Sequence, residues 1–221
     1  MVVLTGSALA AFSGLTNGGF ENGTVNGAGY QELPAGSTEL APWTIANGGS
    51  VDWISTYWTP AEGSKSIDLA GREPGVISQT IPTTVNNTYV VEFMLAGNTD
   101  SASNPAGGPA VKTLSVAATG NPTVIYSFNT TGKSPEAMGW TAKGYSFVAK
   151  GSSTTITFSA TSEGYYGAAL DNLEVTETAA TGAKCKNSGW KSMLDSVGNS
   201  FKNQGDCVSF FATDGKNLAA G

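Results

Sequence analysis

From residue 40 to residue 175 the chain alternates apolar and polar side chains, and turn formers break the pattern at intervals of roughly 8 to 12 residues. Tyr89, Val91, Phe93 and Leu95 alternate with Val90, Glu92 and Met94; Ile156 and Phe158 alternate with Thr155, Thr157 and Ser159. A period of two belongs to strands with one buried face. Similar runs at 50–54, 64–69, 76–81, 111–118, 124–128, 145–148 and 168–175 bring the expected strands to nine. Residues 98–109, rich in Asn, Ser, Gly and Pro, show no period and read as a loop long enough to carry function. No helical period separates the strands, so the fold class is all-β: a two-sheet jelly-roll sandwich rather than a parallel α/β plan. Composition agrees, since 29 Gly, 23 Ser, 26 Thr and 15 Asn among 221 residues favour turns and short strands over long helices.

The chain contains no histidine. That excludes imidazole-based triads and His-bound zinc, and leaves carboxylates, amides, hydroxyls and aromatic rings as its chemistry. Oxygen ligation of a hard cation and carboxylate catalysis survive this filter. Seventeen acids stand against eleven bases with no clustered Lys/Arg run, so neither nucleic acid nor an anionic membrane surface is expected as a partner. No apolar run approaches the ~20 residues of a membrane span, so membrane insertion is not expected.

Residues 1–14 are apolar and include Ser7-Ala8-Leu9-Ala10, which fits a secretory cleavage site, although no Lys or Arg precedes Lys65. They read as a signal-peptide remnant, with a first β-strand as the alternative. At the other end, residues 1–176 carry thirteen acids against six bases, whereas the remainder carries four against five. This asymmetry and the small residues of 177–183 mark a linker between a body at 15–176 and a segment at 184–221. Cys185 and Cys207 lie in that segment. A disulfide between them would remove about 3 kcal/mol of unfolded-chain freedom, useful to a piece too short for a large core; two free thiols are the alternative. Trp190, Phe210 and Phe211 are its expected core.

Asp171 shares parity with Leu173 and Val175 in the last expected strand, so a core-facing carboxylate is expected there, in need of N–H groups, a cation or a metal. Glu21 follows Phe20 in the glycine-rich turn 17–23. With a carbonyl of Gly19 and with Asp68, these two acids could supply a structural Ca²⁺ site; the alternative is that both carboxylates bond local N–H groups. Aromatic side chains crowd the turns: Trp53, Tyr57 and Trp58 within six residues, Tyr165 and Tyr166 between glycines, and Trp140 after Met138-Gly139. Rings with a polar tip suit the C–H faces of sugars. Arg72, Asn47, Asp52 and Glu62 lie near in sequence, whereas Trp43 is assigned to the core.

Asn17-Gly-Gly-Phe-Glu21, Pro42-Trp43, Val51-Asp52-Trp53-Ile54, Trp58-Thr-Pro-Ala-Glu-Gly63, Ser66-Ile-Asp-Leu69, Pro74-Gly75 with Ile77-Ser-Gln-Thr80, and Leu170-Asp-Asn-Leu173 follow in order. Over 15–176 the chain resembles the choice-of-anchor C family and its plant cell-wall relatives, domain of unknown function 642. The resemblance implies a galactose-binding-like jelly roll, an extracellular or cell-surface location and binding to wall polysaccharide, with cell-wall proteins as further partners. It implies no established catalysis. Similar sandwiches hold calcium through a Phe-Glu turn and a final-strand Asp, matching Glu21 and Asp171. The tail resembles a Cys-containing segment of bacterial secreted proteins. The leading expectation is thus a non-catalytic glycan-binding module using Trp53, Tyr57, Trp58, Arg72, Trp140, Tyr165 and Tyr166. A carboxylate enzyme built on Asp52 and Glu62, and a cell-surface spacer, are the alternatives.

Overall fold

The computed structural model describes residues 10–11, 14–46 and 48–220. Its first six strands are β1 (Ala10–Ala11), β2 (Tyr30–Pro34), β3 (Thr44–Ile45), β4 (Ser50–Ile54), β5 (Ser66–Asp68) and β6 (Val76–Pro82). The next six are β7 (Thr88–Gly97), β8 (Val111–Ala118), β9 (Val124–Asn129), β10 (Thr141–Val148), β11 (Ser153–Ala160) and β12 (Ala168–Thr178). They form a jelly-roll β-sandwich of two antiparallel sheets. One runs β10-β7-β12-β5-β4-β2 with β1 beside the end of β12, and the other runs β3-β6-β11-β8-β9. All nine expected strands are present. The two not foreseen are short: β3 has two residues, and β2 buries a single side chain, Leu33, too little for a period to show; β1, also of two residues, lies where a first strand was the alternative to a leader. The expected leader falls largely on residues outside those described, as does Asn47.

The alternating apolar side chains meet between the sheets. Phe93 of β7 meets Phe158 of β11 edge-on at 5.3 Å between ring centres, and Trp43, buried as expected, packs between Phe158 and Phe20. Trp43 and Trp53 each donate an indole N–H to the turn before β2, to the carbonyls of Asn17 and Phe20, both at 2.9 Å. Trp53 is 0 % exposed and cannot serve as a recognition ring. The expectation failed because Trp53 shares parity with Val51 on the core face of β4, a strand too short for its alternation to outweigh the aromatic cluster that follows it.

A bulge in β12 corrects the placement of Asp171. Asp171 pairs with Met94, but Glu174 pairs with Glu92, so three steps on one strand match two on the other. Asn172 takes the extra residue at φ 46°, a left-handed conformation that Asn tolerates. Parity therefore switches. Leu170 and Val175 lie on the core face, paired with Leu95 and Val91, while Asp171 lies on the opposite, outer face of its sheet.

Beyond β12, which runs to Thr178, the chain forms short 3₁₀ turns and one helix, α1 (Gln204–Ala212), capped by the Asn203 side chain. A disulfide joins Cys185 to Cys207 inside a small cluster of Met193, Phe201 and Phe210, with Trp190 and Phe211 packed against it. The segment clasps the sandwich through Asn86, whose amide donates to the Leu194 carbonyl and accepts the Leu194 N–H at 3.0 Å. Trp53→Ala should cost about 3 to 5 kcal/mol in urea unfolding, and Trp53→Phe, which keeps most of the ring but loses the bond to Phe20, should cost less.

Candidate functional site

The outer face of the larger sheet is built from residues that alternate with the core. Cross-strand pairing sets Glu32 of β2 opposite Asp52 of β4, and Asp52 opposite Asp68 of β5. Three carboxyls thus stand in one row across three strands, where like charges repel. Burial, with Glu32 beside it, pushes the Asp52 carboxyl up to about 7. Asp68 is fully buried, and burial pushes it up to about 8 against the pull of N–H bonds from Ala70, Gly167 and the Asn98 amide, all at 2.9–3.0 Å. The Asp52 carboxyl makes no hydrogen bond to any described residue.

Two pairs of tyrosines flank this row. Gly29 accepts the N–H groups of Ser55 and Tyr57 at 2.8 and 3.3 Å, which brings Tyr57 edge-on to Tyr30 with ring centres 5.5 Å apart. Tyr57 donates its hydroxyl to the Asp100 carboxylate in the loop after β7, and that bond raises its pKa. Tyr165 and Tyr166 form the second edge-on pair, at 4.7 Å. Their loop interlocks with the loop after β7: Tyr166 N–H reaches Gly107 O and Asn98 N–H reaches Gly167 O, both at 2.9 Å. Only glycine fits at 107, where a Cβ would lie 2.3 Å from the Tyr166 ring. The Asn104 amide donates to the Tyr165 hydroxyl at 3.0 Å.

Arg72 completes the rim. Its N–H bonds Ser50 Oγ, and its Nε donates to Glu32 at 2.8 Å. The result is a cleft of about 500 Å³ with four tyrosines on its walls, Ile54 and Asp52 among its lining, and Asn98 and Asp100 from the loop. Behind Tyr166, from the other sheet, the fully buried Lys112 ammonium lies 5.9 Å from the ring centre, without a hydrogen-bond partner among the described residues. Burial lowers its pKa, opposed by Asp68 and Asp100.

Four of the seven expected ligand-binding residues therefore come together: Tyr57, Arg72, Tyr165 and Tyr166. Three do not. Trp53 is in the core. Trp58 is 3 % exposed and donates its indole N–H to Ser66 at 2.8 Å, and Trp140, partly buried, donates to the Thr59 carbonyl at 3.0 Å. Trp53 and Trp58 are buried and serve packing, and Trp140, partly buried, lies outside the lining of the cleft. Asp52 lines the cleft while Glu62 does not, so that pair does not face a common ligand. Tyr30, Glu32, Asn98 and Asp100 were missed; Tyr30 and Glu32 share parity opposite Leu33, a signal present in the sequence but confined to one short strand.

The residues expected around calcium do not fit a single ion. Glu21 accepts N–H bonds from Ser64 and Lys65 at 2.7 and 2.8 Å and the Ser64 hydroxyl at 2.7 Å, with the Lys65 ammonium 3.5 Å away. Burial works against ionisation, but the Ser64 and Lys65 bonds and the Lys65 charge outweigh it and hold the Glu21 carboxyl below its ordinary value. Asp171 accepts N–H bonds from Ala61 and Glu62 at 2.7 and 2.9 Å and from Asn172. Burial still pushes Asp171 up to about 6. Asp68 answers to different partners, Ala70, Gly167 and Asn98, and Gly19 belongs to the Glu21 turn. These bonds take three of the roughly four acceptor sites of each carboxylate. Among the described residues no group of three or more acids or cysteines is disposed to hold a metal.

A jelly-roll sandwich with an aromatic, acid-floored cleft on one sheet is thus the class that fold and site define. Residues 13–176 match the family described as "Protein of unknown function (DUF642)", and the chain belongs to that family. It is 30% identical over 169 residues to Halomucin of Haloquadratum walsbyi, which covers 74% of this chain; the chain spans only 2% of the length of that relative. Among solved structures it is similar to TmCBM61 in complex with β-1,4-galactotriose, at 20% identity and a TM-score of 0.46 over 73% of this chain and 95% of that one. It is also similar to a family 35 carbohydrate binding module from Clostridium thermocellum, at 16% identity and a TM-score of 0.41 over 67% and 98%. What those modules bind is a property of those modules.

Two measurements check this site. A carboxyl that holds its proton more tightly when folded contributes stability below its ordinary pKa, and loses it as pH rises through the folded value. Asp171, Asp52 and Asp68, raised to about 6, 7 and 8, should therefore make the melting temperature fall as pH climbs from the ordinary carboxylate range to about 8. Asp52→Asn should make that fall shallower near pH 7. A chelator should leave the melting temperature unchanged, whereas Glu21→Gln, which sets an amide against N–H donors, should cost about 2 kcal/mol.

Proposed function

We propose that this chain is a secreted, non-catalytic module that binds extracellular or cell-wall polysaccharide in the tyrosine cleft, and that within its family it is of the choice-of-anchor C kind. The observation that carries the reading is the unpartnered Asp52 carboxyl in a cleft walled by Tyr30, Tyr57, Tyr165 and Tyr166. Tyrosine rings offer an apolar face with a polar tip, and a free carboxyl offers the hydrogen bond that a sugar hydroxyl needs. The disulfide supports an oxidising, extracellular compartment.

An enzyme fits less well. Glycoside hydrolysis needs two carboxyls flanking the scissile bond. Glu32 and Asp52 are direct neighbours on one sheet face, so a sugar lying there meets both from the same side. Affinity electrophoresis against soluble polysaccharides tests the reading. Tyr57→Ala and Tyr165→Ala should each weaken retardation at least about tenfold, the loss of a ring contact plus its share of burial. The melting temperature should stay close to that of the parent protein, and no reducing sugar should appear. Retardation unchanged in both variants sinks the reading.

A further inference from the structure

Resting on that glycan-binding reading, we propose that the cleft selects uncharged sugars and rejects uronates, because three acids and a single base line it. Glu32 and Asp52 stand opposite each other on adjacent strands of the lining, and Asp100 adds a third acid from the loop. Arg72 is the one base among the residues lining the cleft; its Nε is bound to Glu32 at 2.8 Å, and the rest of its guanidinium lies in solvent, where water screens its charge. Lys112 is sealed behind the Tyr166 ring, 0 % exposed. A sugar carboxylate entering here meets acids on the floor and at the wall, and repulsion between like charges is strongest where water is excluded.

A hydroxyl meets the opposite situation. The Asp52 carboxyl accepts from it when ionised and donates to its oxygen when protonated, so the contact survives either state of a group that sits near neutrality. A cationic sugar gains less than the count of acids suggests. Glu32 already has Arg72 and Asp100 already has the Tyr57 hydroxyl, which leaves Asp52 as the unpartnered acid of the lining. The match is to neutral hexose or pentose polymers.

Calorimetric titration of the whole chain at low ionic strength, where screening is weakest, sets galactan, xylan and β-glucan against polygalacturonate and alginate. At least one neutral polymer should bind, with the polyuronates at least about tenfold weaker, a gap that added salt narrows. Glu32→Gln with Asp52→Asn should also narrow it; Asp52→Asn alone serves if the double variant melts early. Stronger binding of a polyuronate, abolished by Arg72→Ala, overturns the proposal and leaves glycan binding standing. So does a preference that stays unchanged in the folded acid variants. Binding of no polymer at all overturns the glycan-binding reading itself.

Discussion

The five-residue stretch Ala61–Lys65 donates backbone N–H groups to two carboxylates that are far apart in sequence, Asp171 in β12 and Glu21 in the turn before β2. Much of the sandwich depends on this clasp. The Glu21 turn is also where the indoles of Trp43 and Trp53 deliver their N–H groups, and where Phe20 enters the core. Gly63 makes the approach possible, since a Cβ there would lie 2.4 Å from the Glu21 carboxylate. One loop thereby ties the opening turn, the core aromatics and the central strand of the larger sheet into a single hydrogen-bonded unit. Bonds to an ionised acceptor are stronger than neutral ones, and burial raises the cost of leaving any of them unmade.

The same sheet shows how a fold separates its two kinds of aromatic residue. Tryptophans with a carbonyl or hydroxyl within reach were drawn inward, where area burial is largest and the one N–H is satisfied. Tyr57, Tyr165 and Tyr166, at loop positions, stayed at the surface in edge-on pairs, Tyr57 with Tyr30 of β2, and the hydroxyls of Tyr57 and Tyr165 bond Asp100 and Asn104. These pairs bracket the carboxyl row. The cleft is therefore framed by contacts that exist before any ligand enters, which lowers the ordering cost of binding.

The sandwich was legible because alternation over long strands such as β7 and β8 leaves few competing readings. The disulfide followed from two cysteines in a segment with little core of its own. What escaped the sequence has physical causes that can be named. Asn172 inserts a single extra residue in β12, and one residue is enough to move Asp171 to the other face. Trp53 and Tyr57 are four residues apart, yet one lies in a strand and the other in a turn, so a local cluster of rings did not remain a cluster in space. Tyr30 and Glu32 reach the cleft from a strand with a single buried residue, and Asp100 reaches it from a loop without any period. Sites assembled from loops and strand edges depend on cross-strand register, which alternation alone does not supply.

The Asn86 clasp and the cleft stand at opposite ends of one strand. Asn86 lies just before β7 and Asn98 just after it, and the ten-residue strand between them spans about 33 Å. The molecule consequently has a direction. Whatever the disulfide-closed segment abuts sits at the base of the sandwich, and the tyrosine cleft opens at the far end, so the two ends can be occupied at once without competing for space.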